Sequence, residues 1–212
     1  MTQEDSKREG DSRDPAAVMF SPSVRAAQTR LGSRQVFSER ERKGLLRQDI
    51  TEDLAAFLAE RDSCYLATAS AAGQPYLQHR GGPKGFLKPL GPRLLGFADF
   101  AGNRQYVTLG HLQENPQAFL FLMDYSNRTR VKLWGRAHTI EDDPVLLRSL
   151  AVPGYQARLE RALLFEVDAW DINCKQHIAP RYDEPVLEAI VAKMQQRINA
   201  LEAELAALKS AR

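Results

Sequence analysis

The stretch from Cys64 to Pro116 constrains the fold of this chain more than any other. Cys64-Tyr65-Leu66-Ala67-Thr68-Ala69 is a short apolar run that ends at Ala72-Gly73. Pro75-Tyr76-Leu77-Gln78-His79-Arg80 follows and stops at Gly81-Gly82-Pro83, so the two runs read as strands joined by a tight turn. Another apolar run covers Arg93 to Phe97, and behind it comes the polar series Asp99-Phe100-Ala101-Gly102-Asn103-Arg104-Gln105-Tyr106. Gly102 permits a sharp backbone turn. Asn103 is a favoured N-cap type for a helix expected to run to Glu114. A helix N-terminus draws anions through its free N–H groups and its dipole, and the Arg104 guanidinium adds a fork of donors matched to phosphate oxygens. These residues read in two ways. They form a small antiparallel β unit presenting a phosphate-sized anion site at a helix start, or a hairpin followed by a well-capped surface helix.

The remainder of the chain sets what can surround that unit. Its 212 residues suit one domain with a sizeable core plus extensions. With 29 Lys and Arg against 27 Asp and Glu, the net charge of +2 offers no global electrostatic case for nucleic acid. The two cysteines, Cys64 and Cys174, stand in no metal or redox spacing, which fits a reducing compartment, and Cys64 is expected to be a buried thiol. The first residues lack the basic start and apolar core of a secretory signal, and the apolar runs are too short to span a bilayer. A soluble cytoplasmic protein is the expectation.

Residues 1–17 are charged and carry Gly and Ser, and they are expected to be a disordered tail. Residues 18–50 read as a helical arm. Ser21-Pro22 caps and opens one helix that stops at Gly32, and a second is expected to begin at Ser38, in capping-box spacing with Glu41. Arg25, Gln28 and Arg30 either reach a site from that arm or lie on a solvated face. Thr51 opens a stronger helix with Leu54, Phe57 and Leu58 on one side. Ala118 to Met123 is a continuous apolar strand pattern, and Asp124-Tyr125-Ser126-Asn127 is a turn. From Thr129 to Ile140 the chain alternates, leaving Arg130, Lys132, Trp134, Arg136 and His138 on one side. That basic stripe lines an anionic ligand or is an ordinary solvent face. Asp143-Pro144 starts another helix, and Ala162 to Ile172 is the last strand. The final helix begins at Asp183-Glu184-Pro185. Its apolar residues Leu187, Val191, Met194, Ile198, Leu201, Leu205 and Leu208 are spaced alternately four and three apart, an unbroken heptad seam. Residues 183–212 therefore read as a coiled-coil oligomerisation helix, the alternative being an amphipathic helix laid on its own domain.

The string from Tyr65 to Pro116 resembles the FMN-binding split barrels of the pyridoxamine 5′-phosphate oxidase-like superfamily. The family's first-strand form L-A-T-x-x-x-x-G-x-P is matched by Leu66-Ala67-Thr68 through Gly73 and Pro75. Its phosphate-gripping turn is matched by Gly102-Asn103-Arg104-Gln105, and the Asn-Pro after the following helix by Asn115-Pro116. The string from Asn173 to Tyr182 is similar to a C-terminal signature of one branch, so the resemblance covers residues 51–182. It implies a mainly β fold, a six-stranded antiparallel split barrel with peripheral helices and a long C-terminal helix. It also implies FMN as cofactor, a homodimer, and a flavin-dependent oxidoreductase acting on a small organic substrate. The cofactor contacts it implies are Gln78, His79, Arg80, Gly81, Asp99, Asn103, Arg104, Gln105, Arg130, Gln176, His177 and Arg181. No catalytic acid or base and no metal site is implied. Gln105 stands where well-studied oxidases more often carry Lys, which weakens pyridoxamine phosphate as substrate more than FMN as cofactor. The alternatives are a non-enzymatic flavin carrier or redox sensor, a split barrel that uses F420, FAD or haem, and an assembly protein whose barrel has lost its ligand.

Overall fold

Short apolar runs bounded by Gly, Pro and Asn turns make the strands of this protein. The computed structural model describes residues 14–44, 46–173 and 175–210. Cys174 lies outside the described residues, as does residues 1–13 of the expected tail. From residue 15 the chain is helical: Pro15–Met19 (α1) is capped by the Asp14 carboxylate, which accepts from the Ala16 N–H at 3.0 Å. Pro22–Arg30 (α2) starts as its sequence predicts, with Ser21 Oγ accepting from the Val24 N–H at 3.3 Å and Gly32 turning the chain at φ 77°. The next helix, Arg34–Arg42 (α3), begins before Ser38. The Ser38 hydroxyl donates back to the Arg34 carbonyl at 2.9 Å and caps nothing. Arg34 bonds both Gln28 Oε1 at 2.6 Å and Glu41 at 2.7 Å, and Arg25 pairs with Glu41 at 3.3 Å. Arg25 and Gln28 thus hold α2 and α3 together.

Glu52–Ala59 (α4), capped by Thr51, buries Leu54 and Leu58. It precedes the strands Ser63–Ala69 (β1), Pro75–Gly81 (β2), Lys88–Gly91 (β3) and Leu94–Phe100 (β4), then the helix Val107–Glu114 (α5). Gln117–Asp124 (β5), Thr129–Ile140 (β6), Pro144–Leu150 (α6), Leu159–Asn173 (β7) and Glu184–Ser210 (α7) complete the chain. The strands form one seven-stranded antiparallel sheet in the order β2-β1-β5-β6-β7-β4-β3. Six strands were expected. The extra one, β3, is Lys-Pro-Leu-Gly, whose composition argues against a strand and which exists because it pairs along the edge of β4. β2 stands at one end of the strand order and β4 next to the other, yet Arg80 on β2 meets Asp99 on β4 in an ion pair. The sheet curls until these strands face each other, which is the split-barrel arrangement.

Its interior is filled by Leu66, Phe97, Leu120, Leu133, Phe165 and Trp170, all shielded from water, with Leu54 and Leu58 of α4 in the same cluster. Trp170 is tied down as well as buried: its Nε1–H donates to the Asp49 carbonyl at 2.9 Å and the Arg47 guanidinium lies 5.0 Å from its ring centre. Cys64 is buried as expected. Burial pushes its thiol up to about 12, against a smaller opposing pull from the charge of Arg80. A raised thiol pKa means the folded state favours the neutral form. The stability this confers is whole below the unfolded thiol pKa and is lost as pH rises from there toward 12. Comparing wild type with Cys64→Ala in urea melts should therefore show a stability difference that shifts against wild type by on the order of 1–3 kcal/mol between pH 8 and pH 11. A pH-independent difference would show that Cys64 is not the titrating group.

The contacts of the chain divide it into two units, one of residues 1–123 with 130–174 and a second of residues 124–129 with 175–212. In the second, Asp124 closes the turn by accepting from the Asn127 N–H at 2.9 Å and from Asn127 Nδ2 at 3.0 Å. α7 is a helix of 27 residues, none of them buried. No helix among the described residues is long and apolar enough to cross a membrane.

Candidate anion-binding site

Strand alternation selects which residues of β2 face inward. Tyr76, Gln78 and Arg80 are half-buried on one side, and Leu77, His79 and Gly81 are exposed on the other. His79 therefore turns away from the barrel interior and packs edge-on against Tyr65 of β1, with ring centres 5.6 Å apart. Gln78 Oε1 accepts from the Thr108 hydroxyl of α5 at 3.1 Å. Arg80 donates through Nη1 to Asp99 Oδ1. The other Asp99 oxygen accepts from Arg161 Nη1 at 3.2 Å, because the β4–β7 register sets Asp99 opposite Arg161. Arg161 also reaches Glu141 at 3.1 Å and Glu160 at 3.3 Å. Burial pulls the Arg161 guanidinium down, but the carboxylates of Asp99, Glu141 and Glu160 outweigh it and the net shift is upward. The group stays cationic.

The turn after β4 differs from its expected form. Asn103 does not cap a helix: its Oδ1 accepts from the Gln105 N–H at 3.3 Å in a local turn. Arg104 at φ 59° and Tyr106 at φ 54° are both left-handed, so the helical path begins only at Val107. Left-handed backbone is costly for residues with side chains, and two instances in three residues are a concentration of strain of the kind found at ligand sites. α5 has no side-chain cap, which leaves the first N–H groups of the helix open. Arg104 is exposed and donates through Nε to Tyr106 Oη at 3.0 Å, a bond that raises its pKa.

These pieces enclose a cavity of about 240 Å³. Of the residues expected at the site, Gln78, Arg80, Asp99, Asn103, Arg104 and Gln105 line it. Tyr76, Tyr106, Thr108, Thr139, Glu160 and Arg161 join them, and none of these was singled out from the sequence. Thr108 and Tyr106 could have been found from their adjacency to the turn. Arg161 and Glu160 carried a weaker signal: Arg161 is a charged residue two positions from Leu163 and four from Phe165, on the inward side of β7. The cavity wall holds three guanidinium groups against two carboxylates. Arg80 Nε is buried and has no hydrogen-bond partner. An orphan cationic donor, an uncapped helix start and an exposed guanidinium together fit a phosphate group.

The remaining expected residues lie elsewhere. The alternation that turns His79 outward does the same to Gly81, where an added Cβ would come within 3.0 Å of His79 Cε1. Arg130, the second residue of β6, lies opposite Asn173, is not part of the cavity wall, and has a buried, unpartnered Nε. Two other cations of the stripe are met by acids of β7: Arg136 pairs with Glu166 at 2.9 Å and lies 3.7 Å from Asp168, and Lys132 lies 3.9 Å from Asp171. Burial, the largest influence, pulls the Lys132 pKa down, partly countered by Asp171. Gln176, His177 and Arg181 belong to the second unit. There His177 is left-handed at φ 61°, and the Arg181 guanidinium stacks 4.4 Å from the Tyr125 ring centre.

A curled antiparallel sheet with peripheral helices and a cationic cavity beside its β4 turn defines the chain as a split-barrel protein. The family model described as pyridoxamine 5′-phosphate oxidase matches residues 50–177. The chain belongs to that family. No curated protein matches the sequence. Similar solved structures include a candidate pyridoxamine 5′-phosphate oxidase from Lactobacillus delbrueckii, 20% identical, covering 59% of this chain and 95% of its own, TM-score 0.46. An FMN-binding protein from Syntrophomonas wolfei is 13% identical over 69% of this chain and 97% of its own, TM-score 0.47. HutZ, the heme storage protein from Vibrio cholerae, is 15% identical over 59% of this chain and 94% of its own, TM-score 0.38. Likenesses this distant assign no ligand to this chain.

Proposed function

We propose that the cavity holds the phosphate and ribityl end of FMN, and that the protein is a flavin-dependent oxidoreductase acting as a homodimer on a small organic substrate. The observation that carries this reading is the buried, unpartnered Arg80 Nε beside the uncapped start of α5 and the Arg104 side chain. Bound FMN supplies two-electron redox chemistry. The chain supplies the grip. Arg80 and Arg104 donate to phosphate oxygens, the first N–H groups of α5 add neutral donors, and Gln78 and Gln105 are placed for ribityl hydroxyls. Asp99 accepts from Arg80 Nη1 and competes with the ligand for that guanidinium, whose Nε is left unpartnered. At about 240 Å³ the cavity is smaller than the ~300–1,000 Å³ usual for a small-molecule site. One chain therefore builds only the polar end, and a second copy completing the ring-binding end is part of the proposal. His79 and Gly81 face away from the cavity of their own chain and drop out of its wall. Arg130, Gln176, His177 and Arg181 stay as cofactor-contact candidates on family resemblance, and their alanine variants test them.

The first experiment is an absorption spectrum of the purified protein before and after addition of FMN, followed by titration of Arg104→Ala. Loss of a charge-assisted hydrogen bond should weaken FMN binding on the order of 10-fold to 100-fold. Unchanged affinity removes Arg104 from the grip. Flavin that binds but is neither reduced by NAD(P)H nor turned over by small substrates would make the protein a carrier or sensor. A haem or F420 spectrum would replace the cofactor.

A further inference from the structure

We infer that Tyr106 is a positioning residue of the anion site: its hydroxyl holds the Arg104 guanidinium at the cavity in advance of the ligand, and its ring is held in turn by Arg161. This rests on the phosphate-binding reading of the cavity and adds to it a residue that acts through Arg104. Arg104 by itself is a loose grip, because its side chain is exposed and a free arginine loses the freedom of several bonds when it closes on an anion. Tyr106 Oη accepts from Arg104 Nε at 3.0 Å, and both residues line the cavity. That bond takes Nε, so the fork left for phosphate oxygens is the Nη1 and Nη2 pair.

A bond to Tyr106 fixes Arg104 only if Tyr106 is itself fixed. The Arg161 guanidinium lies 5.2 Å from the Tyr106 ring centre, within reach of a cation–π contact. The Arg161 side chain is 11% exposed and is held by three carboxylates, Asp99 at 3.2 Å, Glu141 at 3.1 Å and Glu160 at 3.3 Å. The tie therefore runs from a nearly buried ion cluster, through an aromatic ring, to an exposed cation. The backbone permits it. Residues two apart do not face each other on a helix. The left-handed backbone at Arg104, φ 59°, and Tyr106, φ 54°, delays the helix to Val107 and lets Nε meet Oη. This gives the strain at those two residues a use in the site. Tyr106 keeps its own hydroxyl proton, so a direct bond to the ligand is the rival role.

A double-mutant cycle on the full-length protein separates the two roles. Tyr106→Phe keeps the ring against Arg161 and removes the hydroxyl. Its FMN affinity, from a flavin fluorescence titration, should fall about 3-fold to 10-fold, the worth of one ordinary hydrogen bond. In an Arg104→Ala background the same substitution should change nothing. A fall that persists there means that Tyr106 contacts the ligand or only shapes the turn, and overturns the inference. The bond itself is read without ligand from the Arg104 Nε–H resonance of isotope-labelled protein, assigned by its loss in Arg104→Ala. Its exchange with water should quicken in Tyr106→Phe by the same factor, and equal exchange in the two proteins also overturns the inference. Repeating the cycle with inorganic phosphate, followed by shifts of the α5 amide resonances, keeps the flavin reading separate. Wild type that binds phosphate but not FMN strikes the flavin, and the phosphate cycle then decides the role of Tyr106. Wild type that binds neither overturns both.

Discussion

Gly135→Ala is expected to lower the thermal midpoint of unfolding by about 6–12 °C, or to leave no folded protein. A Cβ at Gly135 would lie 2.0 Å from the Glu166 carbonyl oxygen and 2.7 Å from the Phe165 ring. The register between β6 and β7 shifts at this point, so β6 passes its neighbour without room for a side chain. The obstacle is a backbone oxygen within a paired strand and a fully buried ring, neither of which can swing aside as the end of a flexible side chain can. Overpacking a core costs about 1–3 kcal/mol and sometimes more, and a backbone clash belongs at the upper end. At roughly 2–4 °C per kcal/mol for a chain of this length, that gives the stated shift. A melt within a degree or two of wild type would mean that β6 and β7 are registered differently.

Asp99→Ala should separate stability from ligand affinity. The Asp99 carboxylate is shared by Arg80 and Arg161, whose side chains are only 15% and 11% exposed. Removing it leaves two guanidinium groups without the acceptor that brings β2 and β4 together. Breaking one side of a buried pair costs about 3–5 kcal/mol. Arg161 keeps Glu141 and Glu160, so the lower end, about 3 kcal/mol, is expected. The change also makes the cavity more positive and frees Arg80. FMN affinity, measured well below the new midpoint, should hold or rise while the melt falls. Falling affinity would make Asp99 a direct contact to the cofactor, the role the family resemblance implies.

How much of this was legible in the sequence depends on the reach of the interactions involved. Ser21 was readable as a helix cap, and Thr51 and Asp143 as helix starts, because each bonds an N–H two or three residues ahead. The strands β1, β2, β5 and β6 showed as apolar or alternating runs between turn residues, and Gly102 marked the turn after β4. Asn103 was misplaced as a cap. Its oxygen serves Gln105, and the left-handed backbone at Arg104 and Tyr106 is held by surroundings that no local propensity describes. Ser38 failed for a similar reason, since Arg34 starts α3 early and is held there by Gln28 and Glu41.

The sequence by itself determined the first strands, the position of the turn at Gly102 and the heptad seam of α7, because each is written in spacings of a few residues, while the class of the fold came from the resemblance of its ordered motifs to a known family. Only the tertiary structure decided which side of β2 faces the cavity, that Lys88–Gly91 is a strand, and that Arg161 shares Asp99 with Arg80. The physical reason is register. Asp99 and Arg161 are 62 residues apart, and their side chains meet because the β4–β7 ladder pairs them across that gap. A one-residue slip of either strand would turn its member of the pair to the other side of the sheet and separate the two.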